Sequence, residues 1–303
     1  MRLLLSLVLT LTVAASLPAQ QNPDWTTPLP PFQIADHLYY VGSRDLASYL
    51  ITTPQGNILI NANLASSPAQ IRASIEQLGF KYTDIKILLN GQAHFDHMAG
   101  AAQILHDTHA KDMVMDGDAE VVRTGGRSDF AYHTDGILTY APARVDRVLH
   151  DGDTVTLGDP NHGGVTLTAH KTPGHTRGCT TWTFRTHIPG DPATQIRNVV
   201  IVGGASALSQ YSLTGHANPA HPAFYPGIET DFPHTFATLR ALPCDIFLGA
   251  HGQYFDMLAK LARMPKEGPD VWIDPQGYQQ TIAYFQQSFA NNLKQQAEAA
   301  AKP

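Results

Sequence analysis

Short apolar runs separated by turn chemistry dominate the first third of the chain. Residues 38–41, 48–52 and 58–61 read as strands, and the Pro54-Gln55-Gly56 break between the last two predicts an antiparallel meander. Ser67 followed by Pro68 predicts the N-cap and first turn of a helix with Ile71, Ile75 and Leu78 on one face, closed by Gly79. The run 85–89 has the β-branched and leucine character of a buried strand, and 98–105 reads as the start of a tightly packed helix. Farther on, 145–149, 154–157 and 165–170 are strand-like and punctuated by Asp151-Gly152-Asp153 and Gly163-Gly164. A tight turn at 172–176 leads to further strands at 180–184, 199–202 and 245–251. Phe232, Phe236 and Leu239 recur at helical spacing, as do Tyr278, Ile282, Phe285, Phe289 and Leu293 near the end. The arrangement implied is an α/β (α+β) fold in which two mixed β-sheets face each other with helices on the outer faces. No linker divides it, so residues 20–303 are expected to form a single domain.

Composition narrows the class. The 303 residues are 43% hydrophobic and 15% charged, ordinary for a globular protein with a large core. A net charge of -6 without any Lys/Arg run excludes nucleic acid as the expected partner. At the front, Arg2, an apolar stretch over 3–13 and the small residues Ala14, Ala15, Ser16 and Ala19 read as a signal peptide over residues 1–19. Its apolar core is short for a bilayer span, so the mature chain is expected in the periplasm or outside the cell, without stable membrane insertion. Asn22 to Pro31 holds four prolines and reads as an extended arm laid over the body. Cys179 and Cys244 are far apart; pairing is open to them in an oxidising compartment, but each lies beside an expected strand, where a buried free thiol is common.

Chemistry enters with the loop after 85–89. Gln92-Ala93-His94-Phe95-Asp96-His97 packs four possible metal ligands into a strand-to-helix loop. Gln92 and His94, two apart, can point the same way, while Asp96 and His97 turn toward a second point near the helix N-terminus. Imidazole and carboxylate together suit zinc. His175 and His251 also stand at the C-terminal ends of apolar runs. One such histidine is usually a hydrogen-bonded core or surface group, but several together with Asp96 point to a metal. His216 and His221 lie in a proline-rich loop that could border the site.

These residues resemble the H-x-H-x-D-H signature of the metallo-β-lactamase superfamily, and Pro173-Gly174-His175-Thr176 and Gly249-Ala250-His251 resemble its later metal motifs. The likeness covers nearly all of the chain after the leader. It is greatest to the third subclass of class B β-lactamases (B3), over 174–180 and 236–245. It implies a four-layer αββα sandwich and two zinc ions, one held by Gln92, His94 and His175 and the other by Asp96, His97 and His251. Many superfamily members carry a metal-bridging aspartate after a strand like 199–202, and the first β-lactamase subclass uses a cysteine. Here Gly203-Gly204-Ala205-Ser206 offers neither, and His97 would supply the missing ligand, as in B3. Three positions depart from the family pattern. Gln92 replaces the first motif histidine with a weaker amide ligand, as in a minor branch of the subclass; Asn61 stands where aspartate is common and Gly91 where serine is.

By resemblance the chain is a monomeric zinc hydrolase that opens the β-lactam amide of penicillins, cephalosporins and carbapenems with a metal-bound hydroxide, conferring antibiotic resistance. Asp96 would ligate zinc and orient the hydroxide. Ser206 and Ser209 would bind the substrate carboxylate or be ordinary loop hydroxyls, and 123–140, with Phe130, Tyr132 and Ile137, would wall the groove or simply pack as a loop. A serine mechanism has little support, since no S-x-x-K occurs and Ser206 lacks the second glycine of G-x-S-x-G. The alternatives are a lactonase or thioesterase of the same fold, against which the missing aspartate argues, and an exported zinc-binding protein with weak or lost catalysis.

Overall fold

Alternation within the early strands sorts their side chains onto two buried faces. In the computed structural model β1 (Phe32–Ala35), β2 (Leu38–Tyr40), β3 (Tyr49–Thr53) and β4 (Gly56–Ile60) form the antiparallel meander. The strands β5 (Ile85–Leu89), β6 (Lys111–Met115) and β7 (Arg147–Leu149) continue the same sheet in parallel, giving the order β1 to β7. Leu50, Leu59 and Leu88 point one way, onto α1 (Ser67–Gln77), α3 (Ala101–Thr108) and α4 (Asp116–Thr124) through Ile71, Ile75, Ile104 and Val122. Their neighbours Tyr49, Ile51, Ile58, Ile60, Ile87 and Leu89 point the other way, into the space between the sheets. The described residues are 22–301 apart from 134, 135, 137, 193 and 216–222. The expected leader, Ile137, His216 and His221 therefore lie outside the described residues.

The second sheet has the order β12-β11-β10-β9-β8, from β8 (Thr154–Leu157), β9 (Val165–Lys171), β10 (Thr180–Thr186), β11 (Arg197–Val202) and β12 (Ile246–Gly249). Only β11 and β12 run parallel, because the long α5 (Ile228–Ala241) crosses between them. Phe232, Phe236 and Leu239 of α5, with Tyr278, Ile282, Phe285 and Phe289 of the terminal helix α7 (Pro275–Ala300), share one core with both sheets. The result is the expected αββα sandwich of two mixed sheets. Parallel strands deliver their C-terminal ends, and the loops after them, to one edge.

Several details differ from the pattern-based expectation. The run at 145–149 closes the first sheet instead of opening the second half, because β7 pairs with β6 and Asp112 N donates to Asp146 Oδ2 (2.8 Å). The helix start at 98–105 is broken into α2 (Phe95–Met98) and α3, because the His97 carbonyl accepts from Ala62 N and Asn63 N (2.9 and 3.0 Å). Ser66, not Ser67, is the N-cap of α1. β6, α4 and α6 (Met257–Glu267) are additional to the expected elements. Both cysteines are free thiols; Cys179 is buried and its Sγ donates to Gly204 O (3.2 Å). Among the described residues no helix is long and apolar enough to cross a membrane.

Because Leu88 is fully buried between β5 and the outer helices, Leu88→Ala should cost about 2–5 kcal/mol. Urea denaturation measures this, and a loss well under 1 kcal/mol would show that this core is not tightly packed.

Candidate metal centre

The loop from Asn90 to His94 is fastened from several sides before any ligand is considered. Asn61, at the end of β4 with φ 68°, accepts from Gly91 N through Oδ1 (2.8 Å) and donates through Nδ2 to Ala47 O (3.1 Å). An ionised aspartate there has no donor for the second bond, so the amide suits this position. Trp182 Nε1 donates to Asn90 O (2.8 Å), Thr180 N to Gly91 O (2.7 Å) and Tyr140 OH to Ala93 O (2.6 Å). Asp118, fully buried, accepts from Ala93 N (2.9 Å), Thr176 Oγ1 (2.7 Å) and Gly178 N (2.7 Å), tying this loop to the turn that carries His175.

Here the two sheets touch through glycines. A Cβ on Gly203 would sit 2.2 Å from Gly91 O, and one on Gly91 would sit 2.7 Å from Gly203 Cα. Serine at 91 is excluded by that approach. At Gly204 a Cβ would lie 2.9 Å from His175 Cδ2, so the turn after β11 has no room for a side chain at either glycine.

Asp96, His97 and His251 form one group, with ligand atoms all within 4.8 Å of one another. Asp96 Oδ2 is 3.3 Å from His97 Nε2 and 3.5 Å from His251 Nε2, and the two imidazole nitrogens are 3.3 Å apart. Behind His251, Nδ1 meets Asp45 Oδ2 at 2.9 Å. Burial alone would raise the Asp96 pKa, but His97 and His251 hold it well below the usual carboxylate range. For His251, burial works against protonation, yet Asp45 and Asp96 push the pKa up to about 9. Two carboxylates around one imidazole call for a positive charge between them, which a proton or a metal cation can supply.

His94 and His175 form the second pair, with ring centroids 4.8 Å apart. Burial, then mutual repulsion, keeps His94 well below its ordinary pKa, and burial lowers His175 to about 4. Both imidazoles are neutral, the state that binds metals. His175 Nδ1 is 2.7 Å from Ser206 O, which fixes the proton there and leaves Nε2 free. His94 Nε2 lies 3.7 Å from Asp129 Oδ2; the other Asp129 oxygen accepts from Ala131 N (2.7 Å) and Tyr132 N (2.9 Å). Gln92 is 1% exposed and neither amide atom has a hydrogen-bond partner. An unpaired buried amide is costly, and a metal at its oxygen would remove part of that cost. Gln92 Oε1 and His94 Nε2, atoms able to present a lone pair, are buried without a hydrogen-bond partner. Orphaned donors, neutral imidazoles and an anionic carboxylate fit divalent metal ions.

A groove of about 880 Å³ opens over these residues, reached by His94, Asp96, His175 and His251. Ser206 and Tyr132 line it; the Tyr132 ring is 4.9 Å from His94 and its OH accepts from Gln210 (3.1 Å). Ser209 is exposed and is not among the lining residues. The Phe130 ring packs away from the groove against Tyr211 and Tyr225 (4.9 and 4.7 Å). Trp25, Tyr254 and the α7 residues Gln280 and Tyr284 complete the walls. Trp25, Asp45, Asp118, Asp129 and Tyr254 were not anticipated, since each acquires its place through contacts distant in sequence.

Comparison with known proteins agrees with the motif resemblance. The sequence profile described as "Metallo-beta-lactamase superfamily" matches residues 44–187. The native FEZ-1 metallo-beta-lactamase of Legionella gormanii is 45% identical, with a TM-score of 0.82 over 89% of this chain and 98% of that one. The class B3 di-zinc enzyme LRA-12 from an Alaskan soil metagenome is 37% identical, with a TM-score of 0.80 over 91% and 98%. The metallo-beta-lactamase GOB-18 of Elizabethkingia meningoseptica is 36% identical, with a TM-score of 0.80 over 93% and 100%.

The histidine environments set a pH profile for the metal-free protein. His175 and His94 take up protons more readily when unfolded, so stability should rise with pH between about 4 and 6.5. His251 keeps its proton in the fold, lending stability that is complete below 6.5 and lost as pH rises through about 9. Urea unfolding in chelator should therefore give a maximum near neutral pH; a monotonic trend from pH 4 to 10 would contradict this assignment.

Proposed function

The chain belongs to the metallo-beta-lactamase superfamily, and from that premise we propose that it hydrolyses the amide bond of β-lactams in the groove above His94, Asp96, His175 and His251. The observation that carries this reading is the buried group of Asp96, His97 and His251 beside the neutral His94–His175 pair, on the floor of an open groove. Gln92, His94 and His175 would hold one zinc ion and Asp96, His97 and His251 the other. Bound there, the ions would supply Lewis acidity toward the lactam carbonyl and make hydroxide available near neutral pH.

The remaining work falls to the chain itself. Asp96, kept anionic by two imidazoles, both anchors a cation and orients the attacking water. Ser206, held near His175 Nδ1 (Oγ at 3.2 Å) and lining the groove, is the better placed of the two serines to meet the substrate carboxylate. Tyr132 and Trp25 both line the groove and would serve as aromatic walls for the lactam substituents. Penicillins, cephalosporins and carbapenems are the proposed substrates, and antibiotic resistance the consequence. The leader pattern at 1–19 supports a periplasmic or secreted location, and a monomer is proposed on the family resemblance alone.

A lactonase or thioesterase reading would need the bridging aspartate. The glycine contacts at 203 and 204 argue against one, because neither position accepts a Cβ without moving backbone or His175. A carbapenem and an acyl-homoserine lactone assayed side by side, with zinc and with chelator, separate the readings. Carbapenem turnover should vanish in chelator and return with zinc, and Asp96→Asn should lower kcat by about 100-fold or more. Absence of chelator-sensitive turnover of any β-lactam would falsify the proposal.

The two sites should also fill unequally. One equivalent of zinc should enter the site of Asp96, His97 and His251 first, and Gln92→His should slow zinc loss from the other. Unchanged stoichiometry and release in the variant, measured by chelator competition, would remove Gln92 from the ligand set.

A further inference from the structure

The proline-rich arm does more than cover the body. Asp45 N donates to Asp24 O (3.2 Å), Arg44 N to Thr27 O (3.0 Å) and Ser43 Oγ to Asp24 O (3.0 Å), while Arg44 Nε pairs with Asp24 Oδ1 at 3.0 Å. These bonds place Trp25 with its ring 5.9 Å from His251 and 6.1 Å from Phe95, in the wall of the groove. Its indole N–H donates to Asp45 Oδ2 (3.1 Å), the same oxygen that meets His251 Nδ1 at 2.9 Å. The other oxygen, Oδ1, accepts from Gln253 N (3.1 Å), so the 5%-exposed carboxylate is held on both sides.

We propose that Trp25 is a positioning residue for the metal site: its N–H fixes the Asp45 carboxylate, and through it the orientation of His251, while its ring forms the adjoining substrate wall. Partners of metal-binding imidazoles set ring orientation and ligand basicity. Here that partner is itself fixed by a side chain of the arm, so the wall and the metal ligand share one oxygen. Loss of the N–H leaves the Asp45 carboxylate held only by Gln253 N and by His251 Nδ1 itself, so it turns more freely and His251 is less well aimed toward Asp96 and His97. The inference rests on those residues holding a metal.

Zinc affinity and release, read by chromophoric chelator competition on the full mature chain, test it without requiring turnover. Trp25→Phe keeps a ring in the wall and removes only the N–H. It should weaken the site containing His251 by several-fold, up to about tenfold, while Asp45→Asn costs about 10–100-fold. The double variant should be no weaker than Asp45→Asn alone, since both act through one oxygen. KM for a carbapenem should rise more in Trp25→Ala, which also loses the ring in the wall, than in Trp25→Phe. Thermal unfolding of the metal-free variants checks that each is folded. Wild-type affinity and release rates in Trp25→Phe, or additive losses in the double variant, overturn the inference while leaving the metal reading intact. A wild-type protein that takes up no zinc overturns both.

Discussion

Everything at the functional edge depends on the close approach of Gly91 to Gly203, where the two sheets meet with no side chain between them. That contact lets Thr180 N reach Gly91 O and Trp182 Nε1 reach Asn90 O, so the loop of the first sheet is bonded to the second sheet. His94 and Asp96 are thereby brought to His175, whose turn follows β9, and to His251, which follows β12. Asp118 fastens the same junction from below with bonds to Ala93, Thr176 and Gly178. A Cβ at 203 would force these two backbones apart, and the ligands on either side would separate with them.

Electrostatics then distinguish the two halves of the site. His94 and His175 are neutral imidazoles, favoured by burial, and in the proposed ligand set Gln92 would add a neutral amide. Asp96 and Asp45 put two carboxylates around His251, which holds a proton to about pH 9 when no other cation is supplied. Buried charge of one sign is costly unless compensated, so this half of the site attracts a cation and the other half chiefly offers lone pairs.

How much of this could be read in advance follows from the range of the interactions. The paired faces of β3, β4 and β5 were legible, because alternation along a strand is local, and so were α5 and the amphipathic α7. β6 was not, because Lys111 and Asp112 interrupt its apolar run although Asp112 is fully buried. The ligand loop was visible as a local motif. The residues that hold it were not: Asp118 is 58 residues from Thr176, and Asp45 is 206 residues from His251. A carboxylate with such distant partners looks, in sequence, like any loop aspartate. Asn61 and Gly91 looked like departures from a family pattern, whereas the structure gives each a local reason in a donor–acceptor pair and a backbone contact.

Gln92 is the departure with the furthest consequences. A histidine at this position would share the fate of His94 and His175, with burial and neighbouring imidazoles all disfavouring its charged form. The amide avoids adding a further titrating group to the buried loop, but its oxygen is a weaker zinc ligand than imidazole nitrogen. Both of its polar atoms are buried without hydrogen-bond partners, and a metal at the amide oxygen would offset part of that cost. On the proposed ligand sets the two halves would differ in kind: one is surrounded by the charges around His251, and the other would depend on an ion reaching the Gln92 amide. A centre built on those ligand sets would keep one ion more firmly than the other, with the carboxylate of Asp96 lining the groove in either state.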